Sequence, residues 1–143
     1  MISFSRTQVI GAEFPDGDTI RFRGVQEDHI YGMEIAMDVR ISTGEIVSIR
    51  GEMKRYTNWV CPQAIPVLQK AVGIRLREDG WDGRVMREIG RKGCEHFAEI
   101  IIECGRCLDT AVFSKALHDA LKDNPALDPG SFLEERMRPG GRS

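Results

Sequence analysis

The chain has 143 residues, 41% apolar and 29% charged, with 20 Lys and Arg against 22 Asp and Glu for a net charge of −2. That length suits one domain with a real core, and the mixture excludes a disordered or low-complexity chain. No basic excess marks a nucleic-acid binder, and no apolar run nears the roughly 18 residues of a membrane span.

Met1-Ile2-Ser3-Phe4-Ser5-Arg6 lacks the apolar stretch of a signal peptide. A cytoplasmic protein is expected, where structural disulfides are rare. The four cysteines then read as thiols, ligands or core residues.

Grouped strands followed by grouped helices predict an α+β domain, with an antiparallel sheet of three to four strands packed against C-terminal helices. Ser3 to Ile10 is a candidate first strand. Pro15-Asp16-Gly17-Asp18 is a turn signal, and Ile20 and Phe22 mark a strand over Thr19 to Val25. Met33 to Ile41 alternates apolar odd positions with polar or small even ones, so one face meets a core. Ser42-Thr43-Gly44 reads as a tight hairpin turn, and Glu45 to Met53 continues the pattern through Val47, Ile49 and Met53.

Helices are expected from Cys61 onward. Ile65, Leu68 and Val72 form a core-facing stripe, with Pro66 delaying or kinking the helix. A short helix is expected over Asp82 to Ile89, with Gly90 as its stop. The longest is expected from Cys94 to Lys122, with Phe97, Ile101, Cys104, Leu108 and Val112 on one side. This reading gives a single domain over 1–122 and a mobile tail over 123–143 with a turn of helix at Phe132–Met137. Trp59 and Trp81 are expected to anchor sheet–helix junctions.

Cys61 and Cys94 stand where helices should begin. The partial positive charge and free N–H groups of a helix start favour thiolate, making each a candidate nucleophile or metal ligand. Cys94-Glu95-His96 adds an imidazole, and thiolate with imidazole suits zinc or iron. The competing reading is burial, since free cysteine often only packs. Cys104 and Cys107 form a C-x-x-C within a helix, and its stripe of Ile and Leu favours core packing. Asp28 and His29 precede the clearest strand, which could aim either group at the helix starts. No phosphate loop, dinucleotide fingerprint, nucleophile elbow or zinc helix is present.

Cys61-Pro62-x-Ala64, Val72-Gly73-Ile74, Gly80-Trp81 and Gly93-Cys94-Glu95-His96-Phe97-Ala98-Glu99 together resemble a bacterial family of unknown function with the motif G-C-T-H-L-x-E-L. Glu95, Phe97 and Ile100 stand where that motif has Thr, Leu and Leu. More distantly, the order of elements resembles the iron–sulfur cluster scaffold fold of the IscU/NifU N-terminal type. That resemblance places Cys61 at its helix-start ligand and Cys94 with His96 near its late Cys/His pair. Its first cysteine has no counterpart, and Asp28 or His29 stands near that place.

The resulting expectation is a metal-binding, scaffold-like domain for zinc or iron, the latter also as an iron–sulfur cluster. Cys61, Cys94 and His96 are its ligands and Asp28 or His29 its fourth. The rival readings are a thiol enzyme or sulfur/acyl acceptor using Cys61 or Cys94, and a non-catalytic protein-interaction module. A protein partner is expected, with neither nucleic acid nor membrane, and the oligomeric state stays open.

Overall fold

The computed structural model describes residues 1–138. The class is α+β, with four strands first and helices after. β1 (Thr7–Asp16), β2 (Thr19–Glu27), β3 (Gly32–Arg40) and β4 (Ile46–Arg55) form an antiparallel meander in the order β1-β2-β3-β4.

Two of the turns follow from side chains. Asp16 accepts hydrogen bonds from the Asp18 N–H and the Thr19 hydroxyl, an Asx turn that carries β1 up to Asp16. The first strand is therefore displaced toward the C-terminus from the expected Ser3–Ile10. At the β3–β4 turn Gly44 has φ 72°, where a side chain would be strained. The Asp18 carboxylate accepts from both the N–H and the hydroxyl of Ser42.

One face of the sheet is buried, through Ile20 and Phe22 of β2, Met33, Ile35, Met37 and Val39 of β3, and Ile46, Ile49 and Met53 of β4. Val47 does not join them. Val39 pairs with Ile46 and Asp38 with Ser48, so Val47 is the extra residue of a bulge and stays exposed. The outer face carries ion pairs, Arg21 with Asp38 and Lys54 with Glu34.

The segment after β4 is tighter than an α-helix. Cys61–Ala64 and Pro66–Ala71 are 3-10 turns, because Pro66 lacks the N–H a continuous helix needs. Gly73, with φ 92°, ends them. Backbone bonds from Gly73 N–H to Ile46 and from Ile46 N–H to Ile74 then seat this segment along the start of β4. α1 (Trp81–Val85) runs into a π-helical turn, Met86–Arg91. α2 (Glu95–Arg106) lies on the buried face of the sheet, with Phe97, Ala98, Ile100, Ile101 and Cys104 fully enclosed. Glycine permits this close approach. A Cβ on Gly24 would stand 2.3 Å from Ile100, and one on Gly51 2.3 Å from Leu68.

The expected helix from Cys94 to Lys122 is two helices. The Cys107 N–H is shared between the Glu103 and Cys104 carbonyls, a tightened last turn that closes α2. The chain divides there into two compact units, residues 1–107 and 108–143. The second unit contains α3 (Leu108–Asp123) and α4 (Pro129–Met137). Asp128 caps α4 by accepting from the Ser131 N–H, so helix occupies part of the expected tail. Phe113 and Phe132 meet within this unit, ring centroids 5.7 Å apart. Residues 139–143 of that expected tail lie outside the described residues.

Candidate functional site

A cleft of about 670 Å³ opens where the loop after β4, the start of β3 and the start of α2 come together. Cys61, Cys94 and His96 all line it, with Tyr31, Met33 and Met53. Cys61 and the Cys94/His96 pair, distant in sequence, therefore face one space.

Each is placed by local chemistry. Cys94 is the N-cap of α2, extended at φ −136° and ψ 119°, which turns its thiol toward the sheet. Its Sγ lies 3.8 Å from Met33 Sδ and 3.9 Å from His96 Nδ1. Burial raises the Cys94 thiol above its usual value, against the helix-start N–H groups of Phe97 and His96, which lower it. The His96 ring is held against Tyr31, centroids 4.3 Å apart and planes tilted by 35°.

Cys61 sits in a loop ordered by Asn58, whose Oδ1 accepts from the Val60 N–H. The Cys61 sulfur lies 3.7 Å from the Thr57 hydroxyl and 3.9 Å from Asn58 Oδ1. The backbone N–H of Asn58 and the Thr57 hydroxyl hold the Cys61 thiol below its usual value, since both favour the thiolate. The two thiols of the cleft are thus tuned in opposite directions. The Thr57 hydroxyl also approaches the Tyr31 hydroxyl at 3.5 Å. Contacts therefore run from Cys61 through Thr57 and Tyr31 to His96 and Cys94.

Asp28 and His29 do not line this cleft. The Asp28 carboxylate accepts from Arg6 Nε and Nη2 and from the N–H groups of Ile30 and Tyr31. Those donors lower it to about 2, the Tyr31 and Ile30 N–H groups first. Arg55 donates to the carbonyls of Asp28 and Tyr31. Asp28 thus shapes the loop that presents Tyr31. His29 is exposed, its ring edge-on to Phe4 at 6.1 Å.

Among the described residues no group of three or more His, Cys, Asp and Glu is placed to hold a metal ion. The expected set of Cys61, Cys94 and His96 with Asp28 or His29 is therefore not assembled here as a four-ligand zinc or iron site. In the C-x-x-C, Cys104 is fully buried and its thiol is pushed up to about 12 by that burial. Both it and the half-buried Cys107 lie outside the cleft lining.

The sequence reading missed Tyr31, Thr57, Met33 and Met53. The methionines carried the usable signal, because both are inward positions of alternating strands and face each other across β3 and β4. Trp59 departs from its expected anchoring role, being 77% exposed. With Val60, Tyr56 and Ile30, also exposed, it belongs to the loops that carry Cys61 and Tyr31. Trp81 does pack, its indole lying where a side chain on Gly105 would be.

Residues 8–108 match a family described as protein of unknown function, DUF2889. No curated protein and no solved structure matches the chain. Among the described residues no helix is long and apolar enough to cross a membrane.

Proposed function

The chain belongs to this family of unknown function, and we propose that its cleft is a thiol-centred acceptor site, with Cys61 as the group that takes up a sulfur or acyl unit. The observation that carries this reading is the gathering of Cys61, Cys94 and His96 on one cleft from separate segments. Cys61 is the accessible, thiolate-favoured member, which nucleophilic chemistry requires. Taking sulfur from a persulfide, its thiolate bonds to the outer sulfur while the donor's S–S bond breaks and the donor leaves as a thiolate. Taking an acyl group from a thioester, it forms a new thioester and the departing thiolate takes a proton from water. The cytoplasm, where thiols remain reduced, suits both reactions. The exposed Trp59 and Val60 beside Cys61 suit a protein partner as donor or recipient.

Incubation of the reduced chain with a small persulfide or an acyl thioester should add one unit to Cys61, read by mass spectrometry. Cys61→Ser should remove that adduct and Cys94→Ser should keep it. Modification no faster than that of a free thiol at neutral pH would overturn the reading.

Metal binding is a second reading, favoured by the 3.9 Å approach of Cys94 Sγ to His96 Nδ1. A scaffold-like role for zinc, iron or an iron–sulfur cluster also draws on the sheet-then-helix order and the helix-start cysteine. It would need donors beyond this pair.

A further inference from the structure

The inner wall of the cleft differs chemically from its Cys61 side. Met33 is 2% exposed and projects inward from β3, and Met53 faces it from β4. The Met33 thioether is 3.8 Å from the Cys94 thiol, and the His96 imidazole nitrogen Nδ1 is 3.9 Å from the same thiol. Two metal–sulfur bonds of about 2.3 Å meeting at roughly 110–120° span about 3.8–4.0 Å, and a metal–sulfur bond with a metal–nitrogen bond of about 2.1 Å spans the 3.9 Å of the Cys94–His96 approach at roughly 125°. Glu95, the acidic residue of the lining, is exposed. The inner donors are thus thiol, thioether and imidazole.

We propose that Cys94, Met33 and His96 form a binding site for a monovalent copper ion. Softness narrows the choice of metal. Thiolate and thioether are soft donors that suit Cu(I), zinc and iron–sulfur clusters, whereas Mg²⁺ and Ca²⁺ take oxygen. Zinc closes its structural sites with four thiolate, imidazole or carboxylate donors, and no such group is placed here among the described residues. A thioether lies outside that donor class, so the same cleft that lacks a zinc-type cluster holds three soft donors. The Tyr31 ring fixes the imidazole plane, and the N-cap conformation fixes the thiol. The site deepens the metal reading and is independent of acceptor chemistry at Cys61.

The test is titration of the full reduced chain with Cu(I) under anaerobic conditions against a colorimetric Cu(I) chelator, with parallel titrations of Zn²⁺ and Co²⁺. One Cu(I) per chain is expected. Cys94→Ser should abolish binding, Met33→Leu should weaken it tenfold or more, and Cys61→Ser should leave it. Leucine conserves the volume of Met33, so the fold should persist, as circular dichroism would check. X-ray absorption of the loaded wild-type protein should show two sulfurs and one nitrogen, which needs no variant. Cu(I) binding that is lost with Cys61 and unchanged in Met33→Leu would overturn the site. Zn²⁺ or Co²⁺ bound through Cys94 and His96, with Cu(I) failing to compete, would overturn copper while keeping the metal reading. No metal bound at all would overturn both, with adduct formation at Cys61 still deciding the acceptor reading.

Discussion

Two pairs of cysteines behave oppositely to their spacing in the sequence. Cys104 and Cys107 are three residues apart, yet Cys104 is fully enclosed by the α2 core face and Cys107 is half-buried. Cys61 and Cys94 are far apart in sequence and line one cleft. Secondary structure explains the reversal. The spacing within α2 lays Cys104 along the stripe that carries Ile100 and Ile101 onto the sheet. Cys61 and Cys94 stand at the starts of elements, where the first N–H groups lack intrahelical partners and both side chains reach the cleft. The placement of a cysteine on its element, more than its distance from another, decides whether it can do chemistry.

Alkylation rates test this contrast most strongly. At pH 7 a thiol of pKa about 12 is ionised only about one part in 10⁵. Cys61, held below the ordinary value, exceeds about one part in a hundred. The more basic thiolate regains part of the difference through its higher intrinsic nucleophilicity, but burial denies Cys104 to reagent. Cys61 should react at least about a hundredfold faster than Cys104, with Cys94 and Cys107, both raised by burial, between them. Peptide mapping after a timed iodoacetamide pulse reads the order. Rapid labelling of Cys104 in the folded chain would break the contrast.

Stability should divide the same residues in reverse. Cys104→Ser places a hydroxyl in an enclosed apolar site. Bonding back to the Ile100 carbonyl one turn earlier would limit the loss to about 1 kcal/mol of the usual 1–3. Cys61→Ser should stay within about 0.5 kcal/mol. Urea unfolding midpoints compare the two.

The strands and the class were legible because a two-residue period states its own buried face, as Met33 to Val39 shows. What escaped was non-periodic. The Val47 bulge interrupts an alternation that otherwise continues. The break at Cys107 lies inside an unbroken apolar stripe and turns on one N–H shared by two carbonyls. In the cleft, Cys61, Cys94 and His96 were legible as candidates from residue type and position. Their common exposure to one space depends on the register of β3 against β4 and on the seat of α2, which no local pattern encodes. Asp28 drew attention for its charge, and that charge is engaged by Arg6 and two backbone N–H groups. Thr57 and Tyr31 have no motif, yet they join the two halves of the cleft.

The smallest effect bears on how Cys61 differs from Cys94. Of the influences that hold the Cys61 thiol down, the Asn58 N–H comes first and the Thr57 hydroxyl second. Thr57→Val removes the second while keeping the side chain's shape. A folded group whose pKa lies below its ordinary value carries more thiolate at neutral pH, so the variant's pKa rises and its thiolate fraction at pH 7 falls. A weak hydrogen bond to sulfur at 3.7 Å contributes about 0.5–1 kcal/mol, so the rate at pH 7 should fall roughly two- to fivefold. Above the pKa both proteins carry full thiolate, and their rates should converge. Stopped-flow alkylation of a variant retaining Cys61 as its sole cysteine gives both profiles. A drop that persists at high pH would mean Thr57 governs access to the sulfur. A profile that does not move would leave the Asn58 N–H and exposure as what separates Cys61 from Cys94, because Cys94 also faces helix-start N–H groups and is nevertheless raised by burial.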